Sequence, residues 1–152
     1  MSVLHTPVLL EAVLEWLRIW PGGTYVDATV GTGGHAIEIA RRLVTGRLVG
    51  MDRDPQALEI ARERLKEYAD RVVFVHAEFS RIGEVAANLK LPPVDGVVAD
   101  LGISTLELDT PERGFSFRFP APLDMRMNPD SPLTAAEIVN HWPEKELADL
   151  LY

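Results

Sequence analysis

The sequence predicts an α/β fold built on a parallel sheet of four strands. Three observations carry that prediction. Apolar runs and segments of helical period alternate along the first hundred residues. Each strand–helix unit takes roughly 25 residues, the length of a right-handed βαβ crossover. The apolar runs also lack in/out alternation, which suits strands covered by helices on both faces.

The elements follow in order. Residues 7–20 place Val8, Leu9, Ala12, Val13, Trp16, Leu17 and Trp20 at helical spacing, with Thr6 as N-cap and Pro7 at the first helical position. The Trp16 and Trp20 stripe is expected in the core. Pro21-Gly22-Gly23 breaks the chain. Strands are expected at 24–30, 47–51, 71–76 and 94–99, with helices at 35–44, 56–69 and 81–90 between them. Residues 101–133 hold five of the eleven prolines and read as irregular, a length that is usually functional or disordered. Residues 134–140 and 144–152 read as short helices. The expected organisation is therefore a half-core at 1–100, an active-site loop at 101–133 and the start of a helical insertion at 134–152.

Composition bounds the function. A chain of 152 residues with 47% apolar side chains can bury one core. Zero cysteines remove disulfides, thiol nucleophiles and Cys-ligated zinc, and fit a reducing, cytoplasmic setting. No apolar run approaches the roughly 18 residues of a membrane span, and no leader-like start is visible. The net charge is −8, unevenly placed: residues 1–99 carry 11 basic and 13 acidic groups, residues 100–152 carry 4 and 10. The four histidines are scattered without ligand spacing, so no metal site is expected. His76 is expected to be packed within its strand.

Ligands of doubly wound sheets bind beyond the carboxyl ends of the strands. The expected ends are Asp27, Asp52, Glu78-Phe79 and Asp100. A helix cap or exposed turn acid explains any one of these carboxylates, but not four at consecutive ends beside a glycine-rich turn. Gly31, Gly33 and Ala36 satisfy the loose G-x-G-x-x-G/A pattern, with Asp52 about 20 residues on. NAD, FAD and S-adenosylmethionine sites share that pattern, and Asp52 could bind ribose hydroxyls in each. Asp27 separates them. A carboxylate four residues before the first glycine repels a pyrophosphate and welcomes the ammonium of a methionine moiety. Phe79 can stack on a purine or pack in the core, and its strand-end position favours the purine. The features together read as an S-adenosylmethionine site.

Ordered motifs carry a resemblance. They are His5-Thr6-Pro7-Val8-Leu9-Leu10, Asp27-Ala28-Thr29 running into Gly33-Gly34-His35, and Asp52-Arg53-Asp54-Pro55-Gln56-Ala57-Leu58. Asp100-Leu101-Gly102-Ile103-Ser104, Leu108-Asp109, Arg113-Gly114-Phe115-Ser116-Phe117 and Pro122-Leu123-Asp124-Met125-Arg126-Met127 follow. The chain resembles the bacterial RsmH (MraW) family over essentially its whole length. That resemblance implies a Rossmann-like methyltransferase core and N4-methylation of a cytidine in 16S ribosomal RNA of the small ribosomal subunit, with S-adenosyl-L-methionine as cofactor. It implies cofactor contacts at Gly33, Gly34, His35, Asp52, Phe79 and Asp100, and near Glu107, where the family usually has Gln. Thr105-Leu106 stands for the usual Ser-Pro, and Pro120-Ala121 for the usual Asp-Gly. Family members run about twice as long, so the chain is expected to stop early in a helical insertion, with further strands to come.

The expected chemistry follows. The exocyclic amine of cytosine is a poor nucleophile, so transfer needs alignment and an acceptor for its protons. Asp100 is the first candidate for anchoring the cofactor and polarising the amine, and Ser104 the second. Arg113, Phe115, Asp124 and Arg126 are candidate substrate contacts; Asp124, Arg126 and Asp109 could instead orient one another in ion pairs. Phe117 and Phe119 read as one buried face of an extended segment, while Phe115 is left open. His5 could contact substrate or cap. A different class of function remains: a module that binds S-adenosylmethionine or a related nucleoside without methylating. An NAD-dependent oxidoreductase fails on Asp27. The outer edge of the fourth strand is expected to be open, inviting a homodimer or a complementing chain.

Overall fold

Four parallel strands lie in the order β3-β2-β1-β4, with β1 (Thr24–Asp27), β2 (Arg47–Asp52), β3 (Val72–His76) and β4 (Gly96–Val98). The computed structural model describes residues 7–152, so Thr6 and His5 lie outside the described residues. The helices of the first part are α1 (Leu10–Leu17), α2 (Gly34–Arg42), α3 (Pro55–Arg64) and α4 (Ile82–Asn88). Two compact units are present, one ending at Gly102 and the other spanning Ile103–Tyr152.

In the first unit the crossovers explain the layers. The β1–α2–β2 and β2–α3–β3 connections advance in one direction, and right-handedness puts α2 and α3 on one face. The β3–α4–β4 connection returns past β1, so α4 takes the other face. Two apolar clusters follow. Tyr25 and Leu48 pack with Leu14, Ile39 and Leu58, while Val26, Val49 and Met51 pack with Val85. Strands β1 and β2 are thus covered on both faces, as the absence of alternation predicted, while Val97 of β4 stays 49% exposed. Burying each such side chain contributes roughly 1.5–3 kcal/mol.

The element ends are set by capping and steric stops. Asp54 caps α3, accepting from Gln56 N at 2.9 Å, and Pro55 occupies the first turn. Asp95 ties the starts of β1 and β4: its Oδ2 accepts from Thr24 N at 2.8 Å, and its own N–H donates to Thr24 O. Strand β1 leaves the ladder at Asp27, three residues before the expected end. Val30 remains pinned to β2 through its N–H to Met51 O at 2.8 Å.

Several expectations are corrected here. Helix α1 begins at Leu10, not Pro7, after Leu9 in the left-handed region. Trp16 is 79% exposed and Trp20 also faces solvent, because α1 buries Leu14 instead. His76 is exposed, its Nε2 donating to Arg53 O at 3.0 Å. A groove of about 380 Å³ lies between α1 and the outer edge of β4, lined by Val13, Trp16, Leu17, Gly96, Val97 and Ala99. Among the described residues no helix is long and apolar enough to cross a membrane.

The second unit departs from the expected irregular stretch only at two short elements, since residues 114–134 carry no helix or strand and the two short helices stand where they were expected. It holds α5 (Thr105–Asp109), a 3₁₀ turn at Pro111–Arg113, α6 (Ala135–His141) and α7 (Glu144–Leu151). The expected separation at residue 133 is bridged, because Ala135 N and Ala136 N donate to Asp124 O and Leu123 O at 2.8 and 2.9 Å.

Candidate functional site

In the first unit the strand order reverses at β1, with β2 on one side and β4 on the other, and such a switch point opens a crevice at the carboxyl ends. Asp27 pairs in register with Gly50 on β2 and with Val98 on β4. Asp52 ends β2 two residues past Gly50, roughly 6.5 Å further along and on the same side by strand parity, and Asp100 lies two residues past the end of β4 at Val98. Three carboxylates ring the crevice by topology alone. None of the three forms an ion pair among the described residues.

Their environments differ. Asp27 is only 2% exposed and accepts a single hydrogen bond, from Thr29 N to Oδ1 at 3.2 Å. Burial pushes its carboxyl up to about 7, opposed by the Thr29 bond and reinforced by the negative charges of Asp52 and Asp100. Asp52 holds two loops: Oδ2 accepts from Gly31 N at 2.8 Å and Oδ1 from Asp54 N at 2.9 Å. Each carboxylate oxygen keeps further acceptor capacity. Asp100 is exposed, and its N–H donates to Thr29 Oγ1 at 2.7 Å.

The glycine-rich turn explains itself position by position. Gly31 and Gly33 sit at φ +51 and +87°, a region open to glycine at no steric cost. A Cβ on Gly33 would lie 2.6 Å from Leu65 Cδ1, and one on Gly34 would lie 2.7 Å from Pro7 Cγ. These two glycines serve packing within the unit. At Gly31 a Cβ would meet only Thr29 O at 4.0 Å, so the turn is open there. Arg64 NH1 fastens the turn by donating to Thr32 O and Oγ1 at 2.7 and 3.1 Å. The His35 ring is buried and its Nε2 donates to Val8 O at 3.0 Å, so the imidazole serves the fold. Phe79 is half exposed in a short 3₁₀ turn, at odds with a core role and available for stacking. Thr29, quoted above only as part of a motif, bonds both Asp27 and the Asp100 backbone; its signal in the sequence is the Asp27-x-Thr29 spacing of an Asx turn.

In the second unit, most candidate residues bind their own neighbours. Ser104 and Glu107 form the capping box of α5. Ser104 N and Oγ donate to Glu107 Oε2 at 2.8 and 3.0 Å, and Glu107 N donates back to Ser104 Oγ at 3.2 Å. Either Glu or Gln completes such a box, so Glu107 in place of Gln keeps the helix start intact. Arg113 is buried, its NH2 donating to Arg126 O and Met127 O at 3.0 and 2.7 Å. Arg126 grips Asp124 through Nε and NH2 at 2.9 and 2.7 Å, and its NH1 donates to Ser131 O. That guanidinium holds the Asp124 carboxyl below its ordinary range. Arg118 pairs with Asp109 at 3.4 Å. Phe115 is half-buried. Phe117 is fully exposed and Phe119 also faces solvent, overturning the expected buried face.

Among the described residues no three His, Asp or Glu side chains are grouped closely enough to hold a metal ion. The first unit's crevice is thus an acidic, partly dry recess beside an open glycine turn, suited to an extended cationic ligand carrying a hydroxylated sugar.

Comparison with known proteins agrees. A family profile described as "MraW methylase family" matches residues 2–152. The chain is 49% identical over 152 residues to "Ribosomal RNA small subunit methyltransferase H" of Symbiobacterium thermophilum, covering 99% of this chain and 48% of that protein. It is also 49% identical to the protein of that name from Carboxydothermus hydrogenoformans, covering 100% of this chain and 49% of that one. The chain therefore spans about half the length of these relatives. In fold it resembles an O-methyltransferase from Bacillus cereus solved with SAH, with TM-score 0.55 and 20% identity over 66% of this chain and 47% of that one. A protein-L-isoaspartate O-methyltransferase is similar, with TM-score 0.53 and 22% identity over 64% of this chain and 30% of that one.

Proposed function

The chain belongs to the MraW methylase family, and from that premise we propose that it supplies the S-adenosylmethionine-binding part of a methyltransferase acting on N4 of a cytidine in 16S ribosomal RNA. One observation carries the cofactor assignment: three carboxylates without cationic partners ring the switch-point crevice beside the open Gly31 turn. A pyrophosphate cofactor such as NAD finds no positive charge there, whereas a ligand with ammonium and sulfonium groups does.

The roles follow from position. Asp52 receives the ribose hydroxyls with the acceptor capacity left after Gly31 N and Asp54 N. Asp27 faces the cationic end, and Phe79 stacks on the adenine. The bound cofactor supplies an electrophilic methyl group. Asp100, at the exposed end of its segment, accepts a proton-bearing edge of the target amine. Phe117 and Phe119 present aromatic faces to an RNA base, which must leave its stack to be reached. Arg113, Asp124, Arg126, Glu107 and Ser104 shape the second unit rather than touch substrate. The place of action is the cytoplasm, where ribosomal RNA is assembled.

A second reading keeps one observation of its own. Residues 100–152 carry 4 basic and 10 acidic groups, so no basic track for RNA is present in that part. On that reading the chain binds the nucleoside and does not methylate. The open β4 edge, beside a groove lined by Trp16 and Val97, takes a further strand from a complementing chain, given relatives about twice as long.

Titration calorimetry tests the cofactor: S-adenosylmethionine binds, NAD does not, and Asp52→Ala weakens binding by about 1.5–3 kcal/mol while thermal unfolding is followed in parallel. NAD binding in preference would end this reading. Transfer of labelled methyl to small-subunit RNA tests the activity, and tight cofactor binding without turnover selects the second reading. Light scattering checks the edge: a second copy on β4 gives a dimer, a well-dispersed monomer leaves the edge unpaired.

A further inference from the structure

We propose that Thr29 is the positioning residue that sets Asp100 at the crevice, its hydroxyl taking the place of a backbone carbonyl at the end of the β1–β4 ladder. The inference rests on the S-adenosylmethionine reading above, with Asp100 as a cofactor contact, and deepens it.

The register shows what the hydroxyl displaces. In a parallel pair, every second residue of one strand donates to the residue before its partner and accepts from the residue after it. Val26 pairs with Val97 and Asp27 with Val98. One step on, Ala28 would face Ala99, donate to Val98 O and accept from Asp100 N. The first of these bonds forms, from Ala28 N to Val98 O at 2.8 Å. The second does not. Asp100 N donates instead to Thr29 Oγ1 at 2.7 Å. The ladder therefore ends on a side chain, and β4 closes at Val98.

Little else holds the segment that carries Asp100. Residues 99–102 are exposed, and a Cβ on Gly102 would meet nothing within 4 Å. Among the described residues, the bond to Thr29 is the only hydrogen bond that these four residues make. Fixing the Asp100 nitrogen fixes the Cα beside it, and so the point from which the carboxylate starts.

Thr29 is a firm anchor for that bond. It is half-buried, it follows the buried Asp27 and Ala28, and its own N–H donates to Asp27 Oδ1 at 3.2 Å. The next residue, Val30, is pinned to β2 through Met51 O. Gly31 N then holds Asp52 Oδ2 at 2.8 Å. One connection thus holds both flanks of the crevice, the β2 flank by a backbone N–H and the β4 flank by the Thr29 hydroxyl. Only the second tie can be cut by a substitution that keeps the side-chain outline.

A double-mutant cycle on the whole chain tests this, read by calorimetry with S-adenosylmethionine while urea unfolding of each variant is followed in parallel. Thr29→Val loses the acceptor and should weaken binding about fivefold, the worth of about one neutral hydrogen bond. Thr29→Ser keeps the hydroxyl and should stay within about twofold of the parent. Asp100→Ala should weaken binding too, and adding Thr29→Val to it should cost less than about twofold more, because the group being positioned is gone. Thr29→Ala completes the same cycle should Thr29→Val fail to fold. Unchanged binding in Thr29→Val, whatever its unfolding midpoint, overturns the proposal. So does a loss that Thr29→Ser shares, a loss that persists in full beside Asp100→Ala, or an Asp100→Ala that binds as the parent does. In each of these cases the parent's own binding leaves the cofactor reading standing. Failure of the parent to bind overturns that reading and this inference together.

Discussion

The two units of this chain handle buried charge in opposite ways. In the first, the buried aliphatic side chains come from the sheet, its covering helices and the turns at their ends, and the carboxylates at the strand ends are left without cations. In the second, no apolar side chain is buried, and the buried groups are Glu107 and Arg113, both committed to their own unit's backbone or hydroxyl groups. The first unit stands on apolar burial and so can hold charge unpaired beside the crevice. The second stands on polar clasps and has little charge to spare. A motif rich in Arg and Asp is therefore a poor guide to ligand contact unless its hydrogen bonds are followed to their ends.

The sharpest test of this contrast is pH. The Asp27 carboxyl titrates near 7 when folded and near 3.8 when unfolded. Between those values the folded state holds a proton that the unfolded chain has lost, so this group's contribution falls as pH rises from about 4 to about 7 and is level above. The full span is about 4 kcal/mol. Asp27→Asn should match the parent near pH 4 and exceed it by up to that amount at pH 8, read from urea unfolding of the ligand-free chain. Equal stability at both pH values would mean Asp27 is no cost to the first unit.

Next in size is Arg113→Ala. It strips the Arg126 and Met127 carbonyls of a charged donor and should destabilise the second unit by about 2–3 kcal/mol. Hydrogen exchange at residues 122–128 should accelerate while the β1–β2 amides keep their protection. Loss of protection in both units alike would erase the contrast. The smallest effect is Thr134→Ala, which removes the capping box of α6, where Thr134 N donates to Glu137 Oε2 at 2.9 Å. About 1 kcal/mol is expected, confined to the second unit, from the same exchange measurement.

The sequence made the first unit far more legible than the second. Acids that close an apolar run mark the ligand end of a strand, so Asp27 and Asp52 were singled out from spacing alone, although the first strand was expected to run on to residue 30. Helical period is less informative: it shows that α1 is amphipathic but not that Leu14 faces inward while Trp16 borders an uncovered strand. The resemblance implies a cofactor contact at His35, and Arg113 is a candidate substrate contact from its motif. Their actual partners, Val8 O and the Arg126 and Met127 carbonyls, are backbone atoms and leave no mark in side-chain pattern. Ser104-Thr105-Leu106-Glu107 and Thr134-Ala135-Ala136-Glu137 are both capping boxes; the second agrees with the short helix expected from residue 134, while the helix that the first one starts was not expected.

Trp16 beside the β4 groove has an optical consequence. Of the three tryptophans, Trp16 lines that groove, Trp20 lies against Gly22 and Gly23, and Trp142 belongs to the second unit. Within the first unit, neither Trp16 nor Trp20 stands at the strand ends where the nucleoside is proposed to sit. Intrinsic emission excited at the indole band is therefore a reporter of the sheet edge: covering β4 dries Trp16 and moves its emission to shorter wavelength, while filling the crevice leaves the spectrum nearly unchanged. The chain carries a built-in dye for the β4 edge of the sheet, where another strand could add.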